Sequence, residues 1–258
     1  MSNTGQEAAR LKRDRYPYRI LLRVAQLHAL LVLRHELAMA WIRATHPRTD
    51  RRFKNSRDLL VNVGCGASGK ENWVNVDIVK EPGVTCVYDC RRRIPLPAGS
   101  ARALFTEHLV EHLDYYEEAP VFFAECHRVL QPGGVLRVIV PDGRKYLLAY
   151  EGGWDALREF SPLARGDEFA LETPMEVVNA HFRQGGQHRF SYDFETLHLL
   201  LQRCGFEDIL ERSYQESRLE ELAIDAPWHE TESLYVEAIR KAQAGAARPR
   251  SPGAVANR

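Results

Sequence analysis

Short apolar segments alternate with amphipathic ones through the middle of the chain. The strand-like runs are residues 59–63, 73–79, 84–88, 103–105 and 135–140. A helix is predicted over residues 117–130, and another runs from Asp193 to Cys204, before two last strands at 209–214 and 234–239. Short apolar strands separated by helices are typical of a parallel sheet that is covered on both faces. The pattern therefore predicts an α/β fold with a Rossmann-like, doubly wound sheet of seven strands, mostly parallel with an antiparallel final strand.

The N-terminal part has a different pattern. Residues 18–43 are predicted to form a helix with a narrow polar stripe, and residues 47–57 a polar, basic linker. Residues 1–57 carry 13 Lys and Arg against 4 Asp and Glu, a charge of +9, although the whole chain has no net charge. Such a segment can pack on its own catalytic domain or on a second copy in a homodimer. It can also contact an anionic membrane surface or nucleic acid. The wide apolar face favours burial, and nucleic acid is the least favoured partner.

Composition excludes several classes of protein. The chain of 258 residues is 45% hydrophobic and 27% charged, which is typical of a globular protein. It contains no apolar run of the ~18–20 residues that a membrane span needs, and no secretory signal, so we expect a cytoplasmic protein. Residues 58–241 form the predicted catalytic domain, with residues 143–190 as an irregular helical insertion that caps the substrate. Residues 242–258 form a predicted disordered tail.

The cysteines and histidines do not have the spacing of a metal site. Five cysteines, an odd number, are interpreted as reduced thiols. Cys86 and Cys90 lack a second cysteine pair, and His181 and His188 are not separated as zinc ligands usually are. No bound metal is expected.

Candidate chemistry begins after the first predicted strand. Residues 64–69 match G-x-G-x-x-G, in which the glycines allow a tight turn and close approach of a ligand. Asp77 follows only eight residues after Gly69, which leaves almost no room for the crossover helix of a nicotinamide-binding enzyme. Asp77 and Asp89 each end a predicted strand. Carboxylates there can accept hydrogen bonds from ribose hydroxyls and from an adenine amino group.

Several further motifs together are more specific than the glycine loop. They are residues 60–66 (LVNVGCG), 73–77 (WVNVD), 94–97 (IPLP), 107–113 (EHLVEHL), 128–137 (RVLQPGGVLR) and 141–142 (PD). This set resembles the class I S-adenosylmethionine-dependent methyltransferases, in the bacterial branch with a Gly-Cys-Gly first loop. A subset of that branch with a similarly short first loop is often found with surface-polysaccharide enzymes.

The resemblance implies a cofactor and residues that bind it. S-adenosylmethionine would contact the first loop, formed by Asn62, Gly64, Cys65 and Gly66. Asp77 would hold the ribose hydroxyls. The adenine would lie at Asp89 and Cys90, and His108 would border the cofactor and face the substrate. Asn62 and Ser68 depart from the commonest first loop, which has an acidic residue and a third glycine at these positions.

An oxygen nucleophile often needs a base near neutral pH, and histidine suits this role. The predicted catalytic residues are His188, His108 and Asp142, and His112 and His181 are further candidates. His188 is preferred because residues 185–189 would cover the mouth of the site.

We expect a methyltransferase that acts on a hydroxyl of a saccharide or another small polar molecule, the saccharide being implied by the resemblance only. Two alternatives stay open: a catalytically silent binding or assembly subunit, and an NAD-dependent oxidoreductase.

Overall fold

The computed structural model describes residues 50–161, 164 and 171–241, together with residues 30, 33–34, 36–42 and 44–45. The chain divides into two compact units, Met1–His46 and Pro47–Arg258. The described positions between 30 and 45 are helical. The rest of the helix predicted over 18–43, and the predicted tail at 242–258, lie outside the described residues. In the part of the chain that is described, no helix has the length and apolar character that a membrane span requires.

A seven-stranded sheet forms the centre of the second unit. Its strands are β1 (Leu59–Val63), β2 (Val74–Asp77), β3 (Cys86–Val87), β4 (Ala101–Glu107), β5 (Leu130–Pro141), β6 (Phe206–Arg212) and β7 (Ser233–Arg240). Their order across the sheet is β3-β2-β1-β4-β5-β7-β6. Strands β1 to β5 pair in parallel, and β7 runs antiparallel to β5 and β6. The predicted fold class is confirmed, and the first glycine loop lies at the carboxyl end of a central strand.

The sheet shares its main core with the helices at Ala119–Val129 and Phe194–Arg203, and the second unit has five described α-helices. They are α1 (Ala119–Val129), α2 (Gly143–Glu151), α3 (Gly153–Phe160), α4 (Pro174–Arg183) and α5 (Phe194–Arg203). Helix α5 begins as predicted at Asp193, whose side chain accepts a hydrogen bond from the Thr196 amide. The main core includes the buried side chains of Val61 and Val63 in β1 and of Leu136 and Val138 in β5.

Two segments are more ordered than their sequences suggested. Helices α2, α3 and α4 are regular elements of the insertion that was expected to be irregular. Part of the predicted linker is ordered, because Asp50 caps a 3-10 helix at Arg51–Phe53. The amide of Asp50 donates to the carbonyl oxygen of Pro95 at 2.9 Å, and Arg52 donates to that of Thr85 at 2.8 Å. The catalytic unit therefore begins before residue 58.

The connection between β1 and β2 is short and contains no helix. All of its residues, 64–73, are described. Buried Asn75 holds it: its Oδ1 accepts from the Lys70 amide at 2.9 Å, and its Nδ2 donates to the carbonyl oxygens of Lys70 and Gly83 at 2.8 and 3.0 Å. One amide side chain thus fixes the loop where other doubly wound folds use a crossover helix.

Candidate active site

The glycines of the first loop have backbone conformations that other residues rarely adopt. Gly64 has φ +74° and Gly66 has φ +48°. A Cβ atom on Gly64 would lie 2.7 Å from Cδ2 of Leu109, so this glycine lets the loop pack against the segment after β4. A Cβ atom on Gly66 would meet no atom within 4 Å. Gly66 therefore leaves open space beside the carboxyl end of β1, where a ligand can approach the backbone.

Asp77 connects this loop to the end of β2. Its Oδ2 accepts a hydrogen bond from the Gly66 amide at 2.7 Å, and its Oδ1 accepts one from the Val79 amide at 2.8 Å. Each carboxylate oxygen can accept more than one hydrogen bond, so both remain able to accept from a ligand hydroxyl. The side chain is only partly buried. Its position fits the predicted ribose contact.

Asn62 stabilises the glycine loop through a hydrogen bond, and Cys65 is an uncharged residue within the loop. Buried Asn62 donates from Nδ2 to the carbonyl oxygen of Ser68 at 3.3 Å, which an ionised acidic residue at this position could not do. Burial and the nearby Asp77 carboxylate raise the pKa of the Cys65 thiol to about 11. Cys65 therefore stays a neutral thiol at physiological pH and is not a nucleophile.

The structure gives less support to the predicted adenine contacts. Asp89 is fully buried, and its carboxylate is bound by Arg91, with Nε to Oδ1 at 2.9 Å and Nη2 to Oδ2 at 3.0 Å. The full burial of Asp89, rather than a lack of lone pairs, limits its access to an adenine amino group. Cys90 is buried as well. The roles of Asp89 and Cys90 stay predictions.

Two neighbouring cavities lie beyond the carboxyl ends of β1, β4 and β5. We call the first the loop cavity; its volume is about 90 Å³ and its lining includes Asn62, Gly64, Cys65, Ser68, Lys70, Phe105, Glu107, Ala226 and Trp228. We call the second the histidine cavity; its volume is about 300 Å³ and its lining includes Glu111, His112, Pro141, Ala180, His181, Gln184, His188 and Glu232. His108 and His229 line both cavities. The two spaces therefore meet at this pair of rings.

His108 lines both cavities, but its environment makes it a poor base. It follows β4 with φ +51°, its ring stacks on His229 with centroids 3.6 Å apart, and its Nε2 lies 2.9 Å from Oγ of Ser233. Burial and the neighbouring histidines lower the pKa of His108 to about 2. A neutral imidazole with so low a pKa has little tendency to take a proton at pH 7.

His188 also reaches the histidine cavity. Its Nδ1 lies 2.6 Å from the carbonyl oxygen of His181, and a carbonyl can only accept, so Nδ1 carries the hydrogen and Nε2 keeps its lone pair. Burial lowers the pKa of His188, which keeps the ring neutral at pH 7. The structure thus brings His188 and His108 to one cavity, although 79 residues of chain (188 − 108 − 1) lie between them.

Asp142 is placed differently from the other two predicted catalytic residues. Its Oδ1 caps α2 by accepting hydrogen bonds from the amides of Arg144 and Lys145 at 3.0 and 3.4 Å. Asp142 is not among the residues that line either cavity. Its observed role is that of a helix cap, because the strand-to-helix turn after β5 uses its carboxylate.

The two further histidine candidates, His181 and His112, both line the histidine cavity. The ring of His181 stacks on Tyr146 with centroids 3.6 Å apart, and burial lowers its pKa to about 3. Nδ1 of His112 lies 3.2 Å from the carbonyl oxygen of Gln187. The first ring is held as part of the wall, and the second faces the same segment as His188.

Sequence reasoning missed three titratable residues of this cavity: Glu111, His229 and Glu232. Glu111 is buried, and burial raises its pKa to about 8. The spacing His108-x-x-Glu111-His112 was a signal that could have identified it. His229 and Glu232 lie in the connection between β6 and β7, which carries no recognisable motif, so only the fold brings them here.

Comparisons with known proteins concern the first part of the sheet and the glycine loop. Residues 61–138 match the family model described as a methyltransferase domain, a stretch that runs from β1 into β5. The match supports a methyltransferase domain and implies S-adenosylmethionine as its cofactor. No curated protein matches the chain.

Among solved structures, the chain is similar to two proteins described as S-adenosylmethionine-dependent methyltransferases. One, from Archaeoglobus fulgidus, is 19% identical, with 80% of this chain and 94% of that one covered and a TM-score of 0.46. The other, from Mesorhizobium loti, is 18% identical, with 78% and 96% covered and a TM-score of 0.43. The strand order of the sheet, rather than these similarities, carries the fold assignment.

Two residues beside the loop cavity, Gly66 and Asp77, fit this cofactor, although neither belongs to the lining of that cavity. Gly66 leaves space for close approach, and Asp77 offers carboxylate oxygens at the end of β2. When bound, the cofactor supplies a sulfonium methyl group that is reactive without help from the protein. The protein then has to bind the cofactor, hold the acceptor in line with the methyl group and receive the acceptor's proton.

Proposed function

We propose that this protein is a cytosolic methyltransferase that moves a methyl group from S-adenosylmethionine to a hydroxyl of a saccharide or another small polar molecule. The observation that carries the proposal is the junction of the two cavities at His108 and His229. One cavity adjoins the glycine loop that fits the cofactor, and the other has a polar lining that fits an acceptor. An acceptor oxygen in the second cavity would face a methyl group held in the first.

The chemistry of the histidine cavity favours a small, uncharged acceptor. Its volume of about 300 Å³ lies at the lower end of the usual range for small-molecule sites, ~300–1,000 Å³. The pKa of Glu111 is raised and those of His108 and His181 are lowered, all by burial, so these groups are neutral at pH 7. The lining contains no Lys or Arg that would pair with a phosphate. Hydroxyl groups of a sugar suit such a surface.

His188 is the side chain that we assign to the acceptor hydroxyl. It lines the histidine cavity with its Nε2 lone pair free of the carbonyl that binds Nδ1. Asp142 is committed to capping α2, and the pKa of about 2 makes His108 a weak base. Among the three predicted catalytic residues, His188 thus has the support of both position and protonation.

The proposal is tested by feeding isotope-labelled S-adenosylmethionine with cell extract and with a panel of mono- and oligosaccharides, and identifying labelled products by mass spectrometry. We expect the label on an oxygen of a small polar product. Isothermal titration with S-adenosylmethionine and with NAD runs in parallel. No binding of the former at millimolar concentration contradicts the proposal, binding of NAD instead supports an oxidoreductase, and binding without any labelled product supports a silent subunit.

A matched pair of variants tests the role of His188. His188→Gln should lower kcat by about 100-fold or more, since a general base contributes ~10²–10⁴-fold, while the Kd for S-adenosylmethionine stays unchanged. The control is His127→Gln, because His127 on α1 packs edge-to-face against Phe206 and lines neither cavity. Equal loss of activity in both variants, or an unchanged kcat in His188→Gln, contradicts the assignment.

A further inference from the structure

We propose that Glu111, His112 and His188 bind a divalent transition-metal ion in the wall of the histidine cavity. Each of the three residues offers one potential ligand atom, and these atoms lie within 4.8 Å of one another. All three line the same cavity. The fold assembles the set from the 3-10 helix Val110–His112 and from the segment that follows α4.

The carboxylate of Glu111 is the strongest indication of a ligand. Glu111 is 2% exposed, and within the described part of the chain no other residue donates a hydrogen bond to either of its carboxylate oxygens. The nearest titratable neighbour is His108, whose Nδ1 lies 3.4 Å from Oε1 of Glu111. A buried carboxyl without a partner is costly, and a bound cation removes that cost.

Both histidines are held as metal-binding histidines usually are. Nδ1 of His112 lies 3.2 Å from the carbonyl oxygen of Gln187, and Nδ1 of His188 lies 2.6 Å from that of His181. A metal-ligating histidine almost always donates its other ring N–H to a carbonyl or carboxylate, which fixes the ring and leaves one nitrogen for the metal. In both rings Nε2 is the nitrogen that remains.

Backbone hydrogen bonds connect the two segments that carry these ligands. The carbonyl oxygen of Glu111 accepts hydrogen bonds from the amides of Arg189 and Phe190 at 2.8 and 3.2 Å. The side chain of Arg189 adds an ion pair to Glu118, with Nη1 to Oε2 at 2.7 Å. The segment with His188 is thereby anchored against the segment with Glu111 and His112 before any ion binds.

A second group in the same cavity, His108, His229 and Glu232, is less suited to an ion. Nε2 of His108 is 2.9 Å from Ser233, and Glu232 already accepts from Tyr146 at 2.8 Å and contacts His229 at 3.1 Å. These atoms bond to protein groups. Within the described residues, the carboxylate oxygens of Glu111 and Nε2 of His112 and His188 have no protein hydrogen-bond partner. This difference favours the first group.

The ligand set defines the class of ion. Two imidazole nitrogens with one carboxylate suit Zn²⁺, Co²⁺, Fe²⁺ or Mn²⁺, whereas Mg²⁺ and Ca²⁺ prefer oxygen ligands. Three protein ligands leave coordination positions open, as in catalytic rather than structural sites. The function of the ion at the acceptor rests on the proposed function and replaces direct proton transfer to His188, because Nε2 of His188 would then be a ligand. The ion would polarise the acceptor hydroxyl, and the proton would pass to solvent water. Ion binding itself does not depend on methyl transfer.

This inference departs from the expectation of no metal that the spacing of His181 and His188 suggested. That expectation considered cysteine pairs and histidines near each other in sequence. The fold instead joins His188 to Glu111 and His112, which precede it by more than seventy positions. Sequence spacing alone carries no information about such a set.

The test measures metal binding by the untagged full chain without S-adenosylmethionine. After dialysis against a chelator, the protein is titrated with Co²⁺ and followed by its visible d–d absorption, and then with Zn²⁺ in competition. We expect one Co²⁺ per chain. Glu111→Gln and His188→Gln should weaken binding at least about tenfold, since loss of even a residue behind a ligand costs ~10–100-fold. His229→Gln and His127→Gln are the matched controls that should bind normally.

Three results would overturn the proposal. They are no Co²⁺ absorption at millimolar concentration, unchanged binding by Glu111→Gln, and loss of binding by His229→Gln while Glu111→Gln binds normally. Far-ultraviolet circular dichroism of each variant without metal shows that it is folded. Because the assay contains no methyl donor, failure of the metal proposal is distinguishable from failure of the proposed methyltransferase activity.

Discussion

The two cavities that meet at His108 are built in different ways. The glycine loop and Asp77 beside the loop cavity belong to one continuous segment, residues 62–77, and its backbone is shaped by Gly64 and Gly66. The histidine cavity is lined by side chains from separate segments, residues 108–112, 180–188 and 229–232. A site made by the backbone of one segment leaves a motif in the sequence. A site made by side chains from distant segments does not.

The cavities also differ in how their polar groups are satisfied. At the loop cavity, the carboxylate oxygens of Asp77 accept from the amides of Gly66 and Val79. In the histidine cavity, burial lowers the pKa of His188 and raises that of Glu111 to about 8. The first site thus presents a hydrogen-bonded carboxyl group, and the second presents neutral groups that remain available to a ligand. This division suits a cationic cofactor beside a neutral acceptor.

One element supports both cavities, and removing its anchor should have the largest effect. The connection between β6 and β7 carries Ala226 and His229, and it is held by fully buried Arg137. Nε of Arg137 donates to Oδ1 of Asp225 at 2.7 Å, and Nη1 to Oε1 of Glu237 at 3.3 Å. Arg137→Ala removes the buried cation between two buried carboxylates, which then keep only weaker contacts such as those with the amides of Gln215 and Arg218. We expect the free energy of unfolding, measured by urea denaturation, to fall by about 3–5 kcal/mol.

The control for this prediction is an exposed ion pair on the same face. Arg102 lies 2.8 Å from Glu221, with both side chains a third or more exposed. Arg102→Ala should change the free energy of unfolding by less than about 1 kcal/mol, because solvent screens such pairs. Similar urea midpoints for the two variants would show that Arg137 does not anchor the shared connection.

The second largest expected effect is a loss of cofactor binding that leaves the histidine cavity unchanged. Asp77→Asn replaces one acceptor oxygen by an NH₂ group, which cannot accept from an amide or a ribose hydroxyl. We expect the Kd for S-adenosylmethionine to rise about ten- to a hundredfold, since each hydrogen bond to a charged group contributes ~1.5–3 kcal/mol. Isothermal titration measures this, and Co²⁺ binding in the histidine cavity should not change.

Asp155→Asn provides the matched control, because Asp155 is exposed on α3, lines neither cavity and should bind the cofactor normally. If Asp77→Asn binds S-adenosylmethionine as the unaltered protein does, the loop cavity is not where the ribose is held. If it loses Co²⁺ as well, the two cavities are not independent, and the contrast between them fails.

The same contrast explains how far the sequence predicts the molecule. The strands and the glycine loop are predictable because each depends on a local apolar run or on one motif, as with residues 59–63 and Gly64. The N-cap of α5 at Asp193 is predictable for the same reason. Asp142 was expected to be catalytic, since a motif shows a carboxylate after β5 but not that helix α2 uses it as a cap. Glu111 and His229 depend on distant packing, which no local pattern encodes.

The smallest expected effect concerns Cys65, the residue between the two glycines. Burial and the Asp77 carboxylate raise the pKa of its thiol to about 11, so the thiol is protonated and uncharged throughout the range in which the enzyme would work. If the loop acts through its backbone, Cys65→Ala should change the Kd for S-adenosylmethionine and kcat by less than about threefold, an energy close to ~0.6 kcal/mol.

The pH dependence provides a second measurement on the same residue. A thiol that ionised near pH 8 would give the wild-type pH–rate profile a step that Cys65→Ala lacks, whereas we expect the two profiles to coincide between pH 7 and 9. Cys126→Ala, in the fully buried core of α1, is the matched control: it should lower the melting temperature by creating a cavity but leave cofactor binding unchanged. A large loss of binding in Cys65→Ala, together with a lost step in the profile, would mean that the loop binds the cofactor through a side chain rather than through its backbone. Both cavities would then depend on side chains, and the contrast between them would be wrong.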